Sequence, residues 1–315
     1  MNASRASGRA AGHLVALATI VVWGVTFIST KVLLADFTPV EILLLRFLLG
    51  WVALWVVCPH ALAVRNLKDE VLFALAGLSG VTLYFLLENM ALTLTFASNV
   101  GVIVAVAPFF TALLAWRFLG DARPGGAFML GFVVAIAGIA CISRSGSEFA
   151  LNPAGDGLAL LAALSWAIYS ILVRMLAARG YGSLRATRRI FFYGLVCMLP
   201  ILPLAGLSIQ AEALLRPVNA ANLLFLGLCA SALCFVSWTF SVRRLGAVRA
   251  ALYIYLVPVV TVLTSIAVLH ERVTWLSGAG MVLALTGLLI SEWGAPGRAR
   301  TAQKRDGPSP ARGQR

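Results

Sequence analysis

LVALATIVVWGVTFISTKVLL, residues 14–34, holds a single charge, Lys31, close to its end. A helix needs about 20 consecutive apolar residues to cross the hydrocarbon core of a bilayer, and this stretch supplies them. It exceeds the roughly 7–15 apolar residues of a secretory signal and ends without a small-x-small cleavage site, so it reads as a retained first membrane helix. Working outward, similar runs recur at Val40–Cys58, Val71–Leu92, Ala97–Leu119, Gly126–Ser143, Gly157–Leu176, Phe191–Leu207, Leu223–Val242, Ala250–Leu269 and Trp275–Ser291. None shows the strict alternation of a membrane β-strand. The expected fold is an all-α integral membrane protein with ten transmembrane helices.

Composition excludes a soluble enzyme or binding module. Of 315 residues, 61% are hydrophobic and 12% charged, with a mean hydropathy of +0.93. A soluble domain carries roughly 25% charged residues. The net charge of +13 is not gathered into a basic, aromatic-interleaved patch, so no nucleic-acid partner is expected. Five cysteines without a Cys-x-x-Cys pair and three scattered histidines indicate neither a disulfide framework nor a metal centre. No cofactor is expected either.

The basic residues instead report topology, because cytoplasmic connections carry the excess of Lys and Arg. With the N-terminus inside, all 25 fall on the cytoplasmic side except Lys31, Arg144, Arg216, Arg272 and the intraspan Arg46. Both termini are therefore expected in the cytoplasm. Residues 1–12 form a leader and 294–315 a basic tail without apolar periodicity, read as disordered.

The two halves resemble each other. Shifted by 143 residues, Trp166 falls on Trp23, Arg174 on Lys31 and Arg189 on Arg46; shifted by 150, Phe235 falls on Phe85, Ala247 on Ala97, Pro258 on Pro108 and Glu271 on Asp121. This is a duplication of five helices, 13–144 and 157–293, joined by an extracytoplasmic linker at 145–156. Five is odd, so the second copy enters from the opposite side, giving a 5+5 inverted repeat.

Several motifs carry a family resemblance: Trp23-Gly24-Val25-Thr26-Phe27, Ala97-Ser98-Asn99, the matched Pro108 and Pro258, and Asp121 and Glu271 beyond them. Over about residues 14–292 the chain resembles the drug/metabolite transporter superfamily, and more narrowly two tandem EamA domains. It departs from the pattern in having Gly120-Asp121 where the family tends to Gly-Glu, and His270-Glu271 in the second copy. The resemblance implies a secondary transporter, often an exporter of amino acids or other small metabolites, in a bacterial inner membrane.

Polar groups inside spans cost about 2.5–3.5 kcal/mol at mid-helix and are functional candidates by default. Arg46 lies two turns inside its span; it contacts an anionic substrate group or a gate carboxylate, or else bridges to Glu41 or Glu88. Glu88, one turn after Tyr84, is a candidate coupling-proton site, a rim residue or a partner of Arg46. Trp23 with Thr26 and Trp166 with Tyr169 share matched helix faces; with Tyr84, Trp238, Tyr253 and Tyr255 they form an aromatic cavity lining or interhelical packing. Pro108 and Pro258 interrupt matched mid-membrane positions, which points to hinges near a transport site; Thr111 and Thr261 are the alternative partners of the freed carbonyls. Ser98 and Asn99 bond substrate or cap their helix. Lys31 and Glu41 flank one turn as a candidate exposed pair. Gly131, Gly138, Gly280 and Gly287 suit close helix packing, with a homodimer face as a further use.

Nothing in the chain resembles a phosphate-binding loop, a nucleophile elbow or a deep carboxylate pair, so no catalytic residue is expected. The function read from sequence is export of small organic metabolites such as amino acids by alternating access, without covalent chemistry. Multidrug, sugar and nucleoside carriers are alternatives within the same superfamily. A passive channel or an intramembrane enzyme are the alternatives from other classes. The expected partners are a small-molecule substrate and the lipid bilayer, with a coupling proton and a homodimer as further candidates.

Overall fold

A computed structural model describes residues 2–121, 123–144, 153–245, 253–254, 256–271 and 273–293. Tyr255, most of the expected linker and the basic tail lie outside the described residues. The rest is helical, with no strand among the described residues. The helices are α1 (Asn2–Leu33), α2 (Pro39–Val57), α3 (Leu67–Gly77), α4 (Tyr84–Leu94), α5 (Ala97–Val104), α6 (Ala107–Leu119), α7 (Gly126–Arg144) and α8 (Pro153–Ala178). They continue with α9 (Ser183–Met198), α10 (Leu202–Ala205), α11 (Ala211–Leu215), α12 (Pro217–Leu224), α13 (Cys234–Leu245), α14 (Val257–Thr264) and α15 (Trp275–Trp293).

Six helical segments among the described residues are long and apolar enough to cross a membrane: Ala10–Leu33, Pro39–Val57, Leu67–Leu94, Ala97–Leu119, Pro153–Ala178 and Pro217–Trp238. Gly126–Cys141, Val257–Leu269 and Gly278–Ser291 are shorter apolar helices. Large apolar side chains such as Val133, Leu161 and Leu263 stand exposed on the outer faces, as lipid contact requires. The expected run Phe191–Leu207 is placed differently. Its helix, α9, begins at Ser183 among arginines and stops at Met198, because Pro200 and Pro203 cannot continue the backbone ladder.

Local chemistry sets several ends. Thr38 and Glu41 form a reciprocal capping box, with Thr38 N donating to Glu41 Oε2 at 2.8 Å, and Pro39 opens α2. Asn66 caps α3 by accepting from Asp69 N at 2.9 Å. The α5–α6 span breaks at Ala105–Val106, two residues ahead of Pro108. Wide π-helical turns occupy Leu78–Leu83 and Phe225–Leu233, which coincide under the 150-residue shift, and a third occupies Ser265–Leu269. Gly120 and His270 also coincide, and both adopt the left-handed conformation, φ 68° and 54°. The position demands that backbone geometry, which glycine meets freely and histidine only at a cost.

The halves interlock. Helix α1 packs on α13 and α14, α2 on the second π-helical turn, α4 on α8, and α5 on α14. The closest approach is between α7 and α15. A Cβ added to Gly138 would meet Ala284 N at 2.4 Å, and one on Gly131 would meet Gly287 O at 2.4 Å. The small-residue face therefore packs within one chain, which corrects its second use as a homodimer surface.

Polar ties close both ends of the bundle. Asp69 accepts from Arg179 and Tyr181, Glu70 from Arg189 and Tyr193, and Arg188 stacks 3.8 Å over Trp55 while bonding Cys58 O and His60 O. At the opposite end Asp36 accepts from Arg216 and Asn219, both at 2.8 Å. Asp36 and Asn219 coincide with Arg179 and Asp69 under the repeat shifts, so one contact was duplicated with its chemistry changed.

Gly138→Val overpacks the α7–α15 contact and costs about 1–3 kcal/mol; the melting temperature in detergent drops, whereas Gly126→Ala, with nothing within 4 Å, leaves it unchanged. The Asn219 amide, and behind it the Arg216 guanidinium, hold the Asp36 carboxyl below its ordinary value of 3.8. A depressed folded value stabilises above the unfolded one and fades as pH falls through the folded one. The melting-temperature gap between wild type and Asp36→Asn is therefore expected to persist from pH 7 to about 4 and to close on further acidification.

Candidate functional site

A cavity of about 360 Å³ lies between the halves. Its wall takes Trp23, Thr26 and Phe27 from α1, Arg46 from α2, Tyr84, Phe85 and Glu88 from α4, Pro108 and Thr111 from α6, Trp166 and Arg174 from α8, and Phe235 from α13. Six of the residues expected from sequence to touch substrate are thus brought together: Trp23, Thr26, Arg46, Tyr84, Glu88 and Trp166. Pro108, expected as a hinge, joins them. The volume falls within the roughly 300–1,000 Å³ of small-molecule sites.

Two opposite charges are buried in the wall, apart from the Asp121 and Arg174 that also line it. Arg46 is 3% exposed; its Nε donates to Ser231 Oγ at 2.9 Å, and its guanidinium lies 4.2 Å from the centre of the Phe85 ring. Glu88 is 1% exposed; neither carboxylate oxygen has a partner in full hydrogen-bonding geometry, and the groups that act on it are the Tyr84 hydroxyl and the Arg46 guanidinium. The two charges form no contact ion pair, and Glu41 is not a partner of Arg46 either. Buried charges normally carry a direct partner, so both side chains retain hydrogen-bonding capacity toward the cavity.

Aromatic rings complete the wall. Tyr84 and Trp166 lie 4.9 Å apart, and Trp23 is held by a bond from Nε1 to Ala230 O at 3.2 Å. Trp238 does not reach the cavity; it packs behind Trp23 at 5.3 Å. Tyr169 likewise stays outside, behind Trp166 at 5.0 Å, with its ring against Gly80. Those two expectations resolve as interhelical packing. Tyr253 bonds His13 at 2.7 Å, away from the cavity lining. Pro258 is buried outside the cavity lining, and Thr111 and Thr261 bond the carbonyls of Ala107 and Val257, each the residue just before its proline.

The motif around Ala97 has a different role from substrate contact. Ala97 N and Ser98 N donate to the two oxygens of Glu271 at 2.8 and 3.2 Å, and Ser98 Oγ donates at 2.8 Å. A carboxylate from one half thereby caps a buried helix start in the other. Asn99 bonds Thr95 Oγ1 at 3.3 Å and does not line the cavity. Lys31 donates to Leu92 O and to Thr95 O, the last carbonyls before that helix start. The expected Lys31–Glu41 pair is therefore absent: Glu41 accepts from Thr38 N and from Ser208 N at 2.7 Å. At the far end of the α5–α6 span, Asp121 and Arg174 form a two-bond ion pair, at 2.7 and 2.8 Å, that lines the cavity mouth.

Sequence reasoning missed Phe85, Phe235, Ser231 and the Asp121–Arg174 pair as site residues. The first two were visible as a matched pair in the repeat. Ser231 carried no signal, being a small polar residue in an apolar run.

The model of the EamA-like transporter family matches residues 10–144 and again 153–293. The chain belongs to the EamA-like transporter family. It holds two tandem EamA domains and is a multi-pass membrane protein, in a bacterium one of the cell membrane. A relative in Streptantibioticus cattleyicolor, named "probable terminal-alkyne amino-acid exporter", is 31% identical over 90% of this chain and 94% of its own. An Escherichia coli K12 relative named "probable amino-acid metabolite efflux pump" is 26% identical over 89% and 94%. An uncharacterized transporter of Archaeoglobus fulgidus is 26% identical over 89% and 96%. One solved crystal structure matches with a TM-score of 0.64 over 95% of this chain and 99% of its own, at 16% identity, a likeness of fold alone.

In this EamA protein the Glu271 cap ties the two domains together. Glu271→Ala removes the acceptor for three donors and costs about 2 kcal/mol. Thermal unfolding in detergent checks it: the expected order of melting temperatures is wild type, then Glu271→Gln, then Glu271→Ala.

Proposed function

We propose that this protein is a secondary carrier that exports small organic metabolites of amino-acid type by alternating access. Arg46 and Glu88 carry the reading: a buried cation and a buried carboxylate lining one aromatic-walled cavity suit the carboxylate and ammonium of a zwitterion. Trp23, Tyr84, Trp166 and Phe235 then receive the apolar remainder. The names of two relatives, an amino-acid exporter and an amino-acid metabolite efflux pump, support the same solute class.

The transport cycle rests on the repeat. In this reading ten spans form a 5+5 inverted repeat, with 13–144 and 157–293 as the two copies and both termini cytoplasmic. Matched carboxylates at opposite ends support the inversion: Glu271 caps the α5 start at one end, and Asp121 pairs with Arg174 at the other. The positive charge bias puts the Asp121 end on the cytoplasmic side. Exchange of conformations between the copies opens the cavity to each side in turn, with the break ahead of Pro108 and the matched Pro258 as hinges. A proton and the substrate ammonium compete for Glu88, which couples export to inward proton movement. No bond in the solute is made or broken.

The test is purified protein in liposomes, assayed by counterflow of radiolabelled amino acids with and without an imposed pH gradient. Saturable, trans-stimulated exchange is expected. Arg46→Ala loses roughly tenfold or more, the scale of one charge-assisted hydrogen bond, and Trp166→Ala is also impaired. Glu88→Gln abolishes the response to the gradient. Absence of flux for every amino acid in the wild type, or gradient-independent flux through a non-saturable path, overturns the carrier reading.

A further inference from the structure

The contact between α2 and the second π-helical turn is unusually close. A Cβ added to Gly50 would meet Gly227 O and Ser231 Cβ, each at 3.2 Å, and one on Gly227 would meet Leu49 Cβ at 2.6 Å and Arg46 O at 3.2 Å. Gly50 follows Arg46 by one helical turn, so the same face of α2 presents the arginine and the gap that admits its neighbour. This approach sets the Ser231 hydroxyl, itself fully buried, 2.9 Å from Arg46 Nε. Ser231 sits inside Phe225–Leu233, where i to i+5 bonding widens the turn. Arg46 belongs to the first half and Ser231 to the second.

A guanidinium offers two edges for bidentate binding, one through Nε and one through Nη1 and Nη2. The Nε edge is occupied by Ser231, and the Phe85 ring covers one face at 4.2 Å. Nη1 and Nη2 make no hydrogen bond among the described residues. We propose that Ser231 is the positioning residue of this site: by accepting the Nε proton it turns the Nη1/Nη2 edge of Arg46 toward the cavity and so sets selectivity for a carboxylate over its neutral amide. The anchor lies on the opposite half, so relative motion of the halves changes the aim of Arg46 and with it the affinity. This deepens the carrier reading above and rests on it.

The experiment uses Ser231→Ala, which removes one oxygen and adds no volume, in proteoliposome transport and in ligand titration of the purified protein. For a transported amino acid the KM is expected to rise about five- to tenfold, the scale of one orienting hydrogen bond to a charged group, with kcat changed less than twofold. In an Arg46→Lys background, which has no Nε donor of that geometry, Ser231→Ala has no further effect. An unchanged KM, or a fall in kcat with lowered melting temperature alone, overturns the proposal. Titration with phenylacetate and phenylacetamide, read by tryptophan emission, requires no transport. The wild type is expected to prefer the acid, and Ser231→Ala to lose most of that preference while binding the amide equally well. If the wild type prefers phenylacetate but carries no amino acid, the carrier reading fails and the preference ratio alone decides the positioning role. If the wild type shows no preference, or binds neither probe, or if the variant keeps the wild-type ratio, the positioning role is overturned.

Discussion

A helix that begins inside a packed bundle leaves N–H groups that no water can reach, and the helix that ends just before it leaves carbonyls in the same position. Both problems meet at the turn between α4 and α5. Glu271 answers the first by accepting from Ala97 N and Ser98 N. Lys31 answers the second by donating to Leu92 O and Thr95 O. The two charged groups match the helix ends they face, a carboxylate at a positive N-terminus and an ammonium at a negative C-terminus. Glu271 comes from the second EamA domain and Lys31 from the first, so this local requirement also fastens the domains to each other. The placement of α5, and hence of the cavity wall at Gly101 and Val104, depends on it.

The scaffold is close to symmetric and the cavity is not. π-Helical turns, left-handed caps and end-to-end ties recur at matched positions. Yet Glu88 corresponds to Trp238, which packs behind Trp23, and Arg46 corresponds to Arg189, which bonds Glu70 near a helix end. The buried charges of the cavity therefore come from the first domain, and the second contributes Trp166, Phe235, the Arg174 that pairs with Asp121 at the mouth and, out of sight of the cavity, Ser231. Duplication supplies a fold with a cavity between its halves; divergence at a few positions makes the wall of that cavity asymmetric.

Much of this was legible in the sequence because the bilayer is a severe solvent. An intraspan charge is costly enough that Arg46 and Glu88 stood out without any structure, and the period of a helix put Trp23 beside Thr26. The same reasoning could not tell a cavity wall from the layer behind it. Trp238 and Tyr169 have the same residue chemistry as Trp23 and Trp166, and differ only by which side of a ring faces a neighbouring helix. Lys31 and Glu41 were near in the chain, but backbone groups elsewhere in the bundle offered each of them better partners.

By itself the sequence determined the helical class, the duplication and the residues too costly to bury idly, since each follows from composition, period or spacing along one chain. Tertiary structure alone decided the contacts between halves: Glu271 on the start of α5, the glycines that bring α7 against α15, and Ser231 on Arg46. Those partners are separated by more than a hundred residues, and hydrogen bonds and close packing act over a few ångströms of space, whatever the distance along the chain.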